Sequence, residues 1–184
     1  MGMTALYAIS MGIVQAFDFE VQKSNATQVA MQHIAATRAG AWFFARTLHH
    51  IDKALLRLTR GQVTVPEILA GLPVLTVATT GARTGRRRTV PLVGVPTGDD
   101  IAVIGTSFGQ LRTPAWYHNM RADPEVEVTY RNRTVKAVAR EAGDEEKRAI
   151  WGRATTIYVG YDAYARRINN REIHVMILGA AESR

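Results

Sequence analysis

From Pro73 onward the apolar residues recur with the period of strands, and the runs are parted by turns too short to carry a helical crossover. Val74–Thr80 is β-branched and apolar, and a glycine-rich turn from Gly81 to Gly85 ends it. Thr89–Val95 is expected to return as its antiparallel partner, closed by Pro96-Thr97-Gly98-Asp99, with Ile101–Gly105 as a third strand. Val126, Val128 and Tyr130 alternate with polar residues, as do Val135, Ala137 and Ala139, with Arg131-Asn132-Arg133 between them as a hairpin turn. Ile173–Leu178 closes the set. Short helices are expected from Pro114 to Arg121, from an Asp144 N-cap through Trp151, and around Tyr161–Arg167. Consecutive strands with helices in the gaps and at the ends imply an antiparallel barrel, mainly β within the α+β class, and not a βαβ fold.

The N-terminal third has a different period. From about Ala26 to Arg60 the pattern is helical, and Phe44, Leu48, Ile51, Leu55 and Leu58 make one apolar stripe. Gly61 supplies a stop and Pro66 breaks the chain. Residues 1–25 read as a frayed arm or a short helix. The expected division is therefore a helical extension over residues 1–65 and a barrel over residues 66–184.

With 184 residues, of which 47% are hydrophobic and 21% charged, the chain can bury a core, and disorder is not its reading. It has no cysteine, which excludes disulfides and thiolate metal sites and fits a cytoplasmic location. Ala5–Phe17 lacks the preceding lysine or arginine of an export signal and is too short to span a bilayer. The net charge of +7 points to an anionic partner.

That charge is densest in Gly81-Ala82-Arg83-Thr84-Gly85-Arg86-Arg87-Arg88, at a strand-to-strand turn. Arginine offers a planar fork of donors that matches phosphate or carboxylate oxygens, and glycine lets a ligand approach the backbone. The competing reading is a solvated basic hairpin tip. The Walker Lys-Ser/Thr is missing, and no Gly-x-Gly-x-x-Gly occurs here. Thr106-Ser107-Phe108-Gly109-Gln110, followed by Pro114-Ala115-Trp116-Tyr117-His118-Asn119, could offer donors and an apolar wall to a ring system. Tyr158, Tyr161 and Tyr164, spaced by three, would share one face of a helix and could stack on a planar substrate or donate a proton, or form a purely structural patch. The five histidines show no metal-ligand spacing, and no nucleophile elbow is legible.

Three stretches in this order, Thr79-Thr80-Gly81-Ala82-Arg83-Thr84-Gly85-Arg86-Arg87-Arg88-Thr89-Val90-Pro91-Leu92, Pro114 to Asn119 with Ala122-Asp123-Pro124-Glu125-Val126, and Tyr158-Val159-Gly160-Tyr161, resemble the deazaflavin-dependent nitroreductase and quinone reductase family. Its members are relatives of the flavin-binding split barrels. The resemblance implies an FMN-binding-like split β-barrel, to which the flanking helices and the N-terminal amphipathic helix read from the apolar periodicity are added. It implies coenzyme F-420, an 8-hydroxy-5-deazaflavin, as hydride donor to a quinone, unsaturated or nitroaromatic acceptor. The cofactor's phosphate and acidic tail would be held by Arg83, Thr84, Gly85, Arg86 and Arg88, with Pro91 following. Thr106, Ser107, Ala115, Trp116 and Asn119 would lie along the ring, and Tyr158, Tyr161 and Tyr164 would line the acceptor site. Some relatives carry a lysine where Ser107-Phe108 stands; Arg112 and Arg86 are candidates to replace that contact.

FMN is the competing cofactor, and a non-catalytic deazaflavin carrier is the competing role. Nucleic acid is not expected, because no aromatic residues interleave with the arginines. A helix carrying Trp42, Phe43, Arg46, Lys53 and Arg57 could instead lie on the cytoplasmic face of a membrane, or cover the barrel or a second subunit of a homodimer.

Overall fold

The computed structural model describes residues 11–43, 70–168 and 171–181. Six strands, β1 (Val74–Thr80), β2 (Arg87–Thr97), β3 (Asp100–Ile104), β4 (Glu125–Tyr130), β5 (Arg133–Glu141) and β6 (Val175–Ala180), close into one antiparallel barrel in the order β1-β2-β3-β6-β5-β4. Hairpins explain β1–β2, β2–β3 and β4–β5. The three pairings between distant strands are β1 on β4, with Val77 opposite Val128, β3 on β6, with Ile101 opposite Leu178, and β5 on β6, with Ala139 opposite Leu178. The helices are α1 (Ile13–Phe17), α2 (Ala26–Ala36), α3 (Ala115–Ala122), α4 (Asp144–Ile157) and α5 (Gly160–Arg167).

Side chains of a strand alternate between faces, and here both faces of β3 and β6 are covered. Ile101, Val103, Met176 and Leu178 join Leu75, Val77, Val126 and Val128 in one apolar cluster, to which α1 and α3 add Ile13, Phe17, Trp116 and Met120. Ala102, Ile104, Val175 and Ile177 belong to a second cluster with Ile150, Ala154 and Ile157 of α4 and Tyr161 and Tyr164 of α5. This is why those two strands read as continuous apolar runs, whereas β5, covered on one face, alternates.

The structure moves several boundaries. β2 starts at Arg87, two residues before Thr89, because Arg87 and Arg88 pair with Thr80 and Thr79. The helix expected from Ala26 is interrupted at Thr37, whose backbone is extended (φ −66°, ψ 162°). Its hydroxyl donates to Ile34 O (2.8 Å) and accepts from the Gly40 N–H (3.0 Å), capping a new helical stretch over residues 38–43. Phe44 through Leu58, with Arg46, Lys53 and Arg57, lie outside the described residues; Trp42 and Phe43 are exposed. Asp144 is the first residue of α4, not its cap: the preceding Gly143 N–H is bonded by Glu146 (2.9 Å), which Arg140 grips in turn (2.7 Å). Among the described residues no helix is long and apolar enough to cross a membrane.

The N-terminal arm is a short helix followed by a core residue. Ile13 is fully buried, and the Phe19 ring packs tilted against Tyr130, with centroids 4.8 Å apart. Ile13→Ala is therefore expected to cost about 2–5 kcal/mol, as for other buried isoleucines, read as a lower urea midpoint without loss of the cooperative transition. The Glu146 carboxyl is held down at about 2 by Arg140 and the Gly143 N–H. Its contribution is complete above the unfolded carboxylate range and fades as pH falls from about 4.5 toward 2. Arg140→Gln should flatten the melting temperature across that window.

Candidate functional site

Three segments that the barrel brings to one side enclose a cavity of about 680 Å3, a size suited to a cofactor or drug-sized ligand. At one end stands the β1–β2 turn. Its conformation is fixed by backbone bonds, Gly81 N to Arg86 O (2.9 Å) and Gly85 N to Gly81 O (2.7 Å), with Gly85 in the left-handed region at φ 62°. Arg83, Thr84 and Arg88 line the cavity there. Gly85 and Arg86 do not, and Arg87 is paired with Glu127 on the outer face of the sheet. The run of four arginines thus divides: two reach the cavity and two turn away. Arg112 is exposed and also lies outside the lining.

Asn119 of α3 ties this turn to the barrel. Its Oδ1 accepts from the Ala82 N–H (3.0 Å), and its Nδ2 donates to the Thr79 hydroxyl (3.0 Å), which donates to Arg88 O (3.4 Å). Both Asn119 and Thr79 are buried and both line the cavity. One amide therefore fixes both ends of the basic turn. Ala115 and Trp116, one turn earlier on the same helix, add apolar wall, as does Pro91 of β2.

At the other end are the tyrosines. They do not share one helix face: Tyr158 is the extended residue that ends α4 (φ −140°, ψ 111°), while Tyr161 and Tyr164 belong to α5. A chain reversal at Val159-Gly160 folds them together instead. Tyr158 and Tyr164 share a hydroxyl hydrogen bond of 2.7 Å, and the Tyr164 hydroxyl donates to Ala35 O (3.3 Å). The direction of that last bond sets the first, so Tyr158 donates to Tyr164 and both protons are engaged. Tyr161 packs edge-on to Tyr158 at 5.4 Å, and its hydroxyl has no partner among the described residues. Burial pushes all three phenols up from their ordinary range, so each stays protonated at neutral pH. Thr106 and Ser107, just after β3, bring two further hydroxyls to the lining, again without side-chain partners among the described residues.

Part of this wall has no signature in the local sequence pattern. Met31 and Ala35 of α2, with Ala70 and Leu72, line the tyrosine end. They are held there by Gln32, buried, whose Nε2 donates to Ala70 O (2.7 Å) and Ser24 Oγ (3.0 Å), while its Oε1 accepts from the Val159 N–H (3.4 Å). A capping box, Asn25 with Gln28, starts the helix, and its docking partners Val159 and Tyr164 lie more than a hundred residues away.

The family model described as F420H(2)-dependent quinone reductase matches residues 48–180. An F420H(2)-dependent quinone reductase of Mycobacterium tuberculosis is 36% identical over 81 residues, 44% of this chain and 54% of that protein, so the chain spans about half the length of the curated relatives it matches. A solved F420-H2 dependent reductase (FDR-A) is 33% identical, with a TM-score of 0.53 over 58% of this chain and 93% of that one. A solved domain-swapped dimer is 28% identical, with a TM-score of 0.55 over 74% of this chain and 96% of that one.

Replacing Asn119 leaves the Ala82 N–H without its acceptor. Asn119→Ala should cost about 1–3 kcal/mol of stability and speed hydrogen exchange at Ala82, whereas Asn119→Asp, which keeps the acceptor, should slow that exchange again. Equal exchange at Ala82 in wild type and Asn119→Ala would contradict the bridging role.

Proposed function

The chain belongs to the F420H(2)-dependent quinone reductase family, and on that premise we propose that it transfers a hydride from reduced coenzyme F-420 to a quinone, or to a nitroaromatic or unsaturated compound of similar shape. One observation carries this reading: a single cavity runs from two arginines, past an apolar wall, to a cluster of protonated phenols. An elongated ligand with an anionic tail, a flat ring and a nearby electrophile needs that sequence of surfaces.

The residues present fit the cofactor. Arg83 and Arg88 would hold its phosphate and acidic tail, with Thr84 beside them. Pro91, Ala115 and Trp116 would bound the ring, and the Thr106 and Ser107 hydroxyls would meet its polar edge. When bound in its reduced form, F-420 supplies the hydride. The protein's share is placement at about 3–3.5 Å and the exclusion of water, both served by a wall that is mostly apolar.

The three tyrosines divide the remaining work. Tyr158 and Tyr164 are engaged with each other and with α2, so they shape the acceptor end. The Tyr161 hydroxyl has no partner among the described residues. Its raised pKa makes it a hydrogen-bond donor to the oxyanion that develops on the acceptor, and a proton source once that oxyanion is basic enough. A homodimer is the assembly we propose, supported by the domain-swapped dimer among its structural relatives.

Fluorescence titration with F-420 and with FMN tests the cofactor, and addition of menadione to the reduced complex tests turnover. Binding of F-420 followed by its reoxidation on menadione is expected; tight binding of FMN alone would replace the assignment. Tyr161→Phe should slow acceptor reduction by about 10- to 100-fold, the size of an acid or oxyanion contribution, and leave F-420 affinity within about twofold. Unchanged single-turnover rates in that variant would remove Tyr161 from the chemistry.

A further inference from the structure

The turn after β3 is strained, and something must hold it. Ser107 (φ 48°), Phe108 (φ 57°) and Gly109 (φ 78°) are three consecutive residues in the left-handed region, two of them with a Cβ. Internal bonds from Gly109 N to Thr106 O (2.9 Å) and from Gln110 N to Ser107 O (3.0 Å) close the turn on itself. Gly109 is also pressed against α5: a Cβ there would stand 3.2 Å from Arg167 Cδ and 3.4 Å from Tyr164 Cα. These contacts fix the middle of the turn but leave its two ends to be joined.

Arg171 joins them. Its Nε (3.3 Å) and one terminal nitrogen (3.2 Å) donate to Gln110 O, and the same nitrogen donates to Thr106 O (3.3 Å). The other terminal nitrogen bonds Glu172 O (3.1 Å). Among the described residues, then, this cation has only carbonyl partners and no carboxylate. Partial burial lowers its pKa, and the planar fork lets one guanidinium reach both carbonyls.

The segment carrying Arg171 is itself anchored. Two residues alternate away from the turn: Glu172 pairs with Lys147 (2.7 Å), and His174 bonds Glu141 (2.9 Å) and stacks on Tyr117 at 3.9 Å and 13°. Burial would raise the Glu141 carboxyl, but its bonds with His174 and Tyr117 hold it below the ordinary range, so it stays charged as an acceptor. His174 O also accepts from the Gly105 N–H (2.9 Å), at the base of the same turn. The strap is fixed on one side and grips the turn with the other.

We infer that Arg171 is a positioning residue of the candidate cofactor site: its guanidinium bridges Thr106 O and Gln110 O and thereby holds the left-handed turn Ser107–Gly109, with the Thr106 and Ser107 hydroxyls, in register with the cavity. The clamp touches no ligand; its effect on binding rests on the proposed F-420 site, whereas its effect on the turn does not.

The test uses the full chain with Arg171→Ala and Arg171→Lys, read by amide hydrogen exchange and by F-420 fluorescence titration. In Arg171→Ala, exchange at Gly109 and Gln110 should rise by about tenfold or more while β1 and β6 amides stay unchanged, and F-420 should bind about tenfold more weakly. Arg171→Lys, a point charge that cannot bridge two carbonyls as a planar fork does, should recover only part of both. Unchanged exchange at Gly109 and Gln110 in folded Arg171→Ala overturns the inference, as does a rise shared equally by the barrel. Should Arg171→Ala not fold, Arg171→Lys decides: wild-type exchange and affinity in that variant overturn the bridging geometry. Failure of the wild type to bind F-420 would defeat the functional proposal alone, since the exchange comparison still decides the clamp.

Discussion

The pairing of β3 with β6 is the constraint on which the rest depends. Both strands are apolar on both faces, so neither can sit at an edge, and each finds in the other a neighbour that no hairpin supplies. Ile104 opposite Val175 ends the ladder. Because the strands are antiparallel, the chain leaving β3 and the chain entering β6 emerge side by side. The turn at residues 105–110 and the strap at residues 171–174 are neighbours for that reason. Barrel closure and the support of one wall of the cavity are consequences of one register.

A second tie does the same at the other end. Asn119 reaches from α3 to Thr79 and Ala82, so the basic turn is fastened to the helix that also supplies Ala115 and Trp116. The third wall comes from α2, fastened by Gln32 and by Tyr164. Each wall is thus tied down by a polar side chain, half-buried Arg171, buried Asn119 and buried Gln32. Apolar packing alone would leave the position of such loops loosely specified, whereas a satisfied buried hydrogen bond is lost at full desolvation cost if the loop shifts. The proposed alignment of two reactants in this cavity would benefit from that rigidity.

Most of the barrel was legible because it is written in local signals. Alternation named the faces of β4 and β5, and turn residues marked the hairpins, so the strands were found to within two or three residues. Pro114 and the glycine-rich turn marked the site's loops. What could not be read was long-range. The three-residue spacing of Tyr158, Tyr161 and Tyr164 suggests one helix face, yet the chain reverses at Val159-Gly160 and the cluster forms by tertiary packing. Met31 and Ala35 look like ordinary helix residues, and only the fold places them at the cavity. The break at Thr37 was hidden because its hydroxyl caps the next helix, a polar contact that apolar periodicity does not register. Of the four arginines, sequence alone could not separate Arg83 and Arg88, which face the cavity, from Arg87, which answers Glu127 across the sheet.

In the proposed function the arginine end of the cavity receives the anionic tail of a deazaflavin whose ring lies toward the tyrosines. Comparing the affinity of intact F-420 with that of the same ring system lacking phosphate and acidic tail, at two salt concentrations, tests it most directly. The expected result is a tail-less analogue bound at least about tenfold more weakly, as loss of charge-assisted bonds to two arginines requires, with salt weakening intact F-420 and sparing the analogue. Equal affinities for the two, with equal salt dependence, would contradict it.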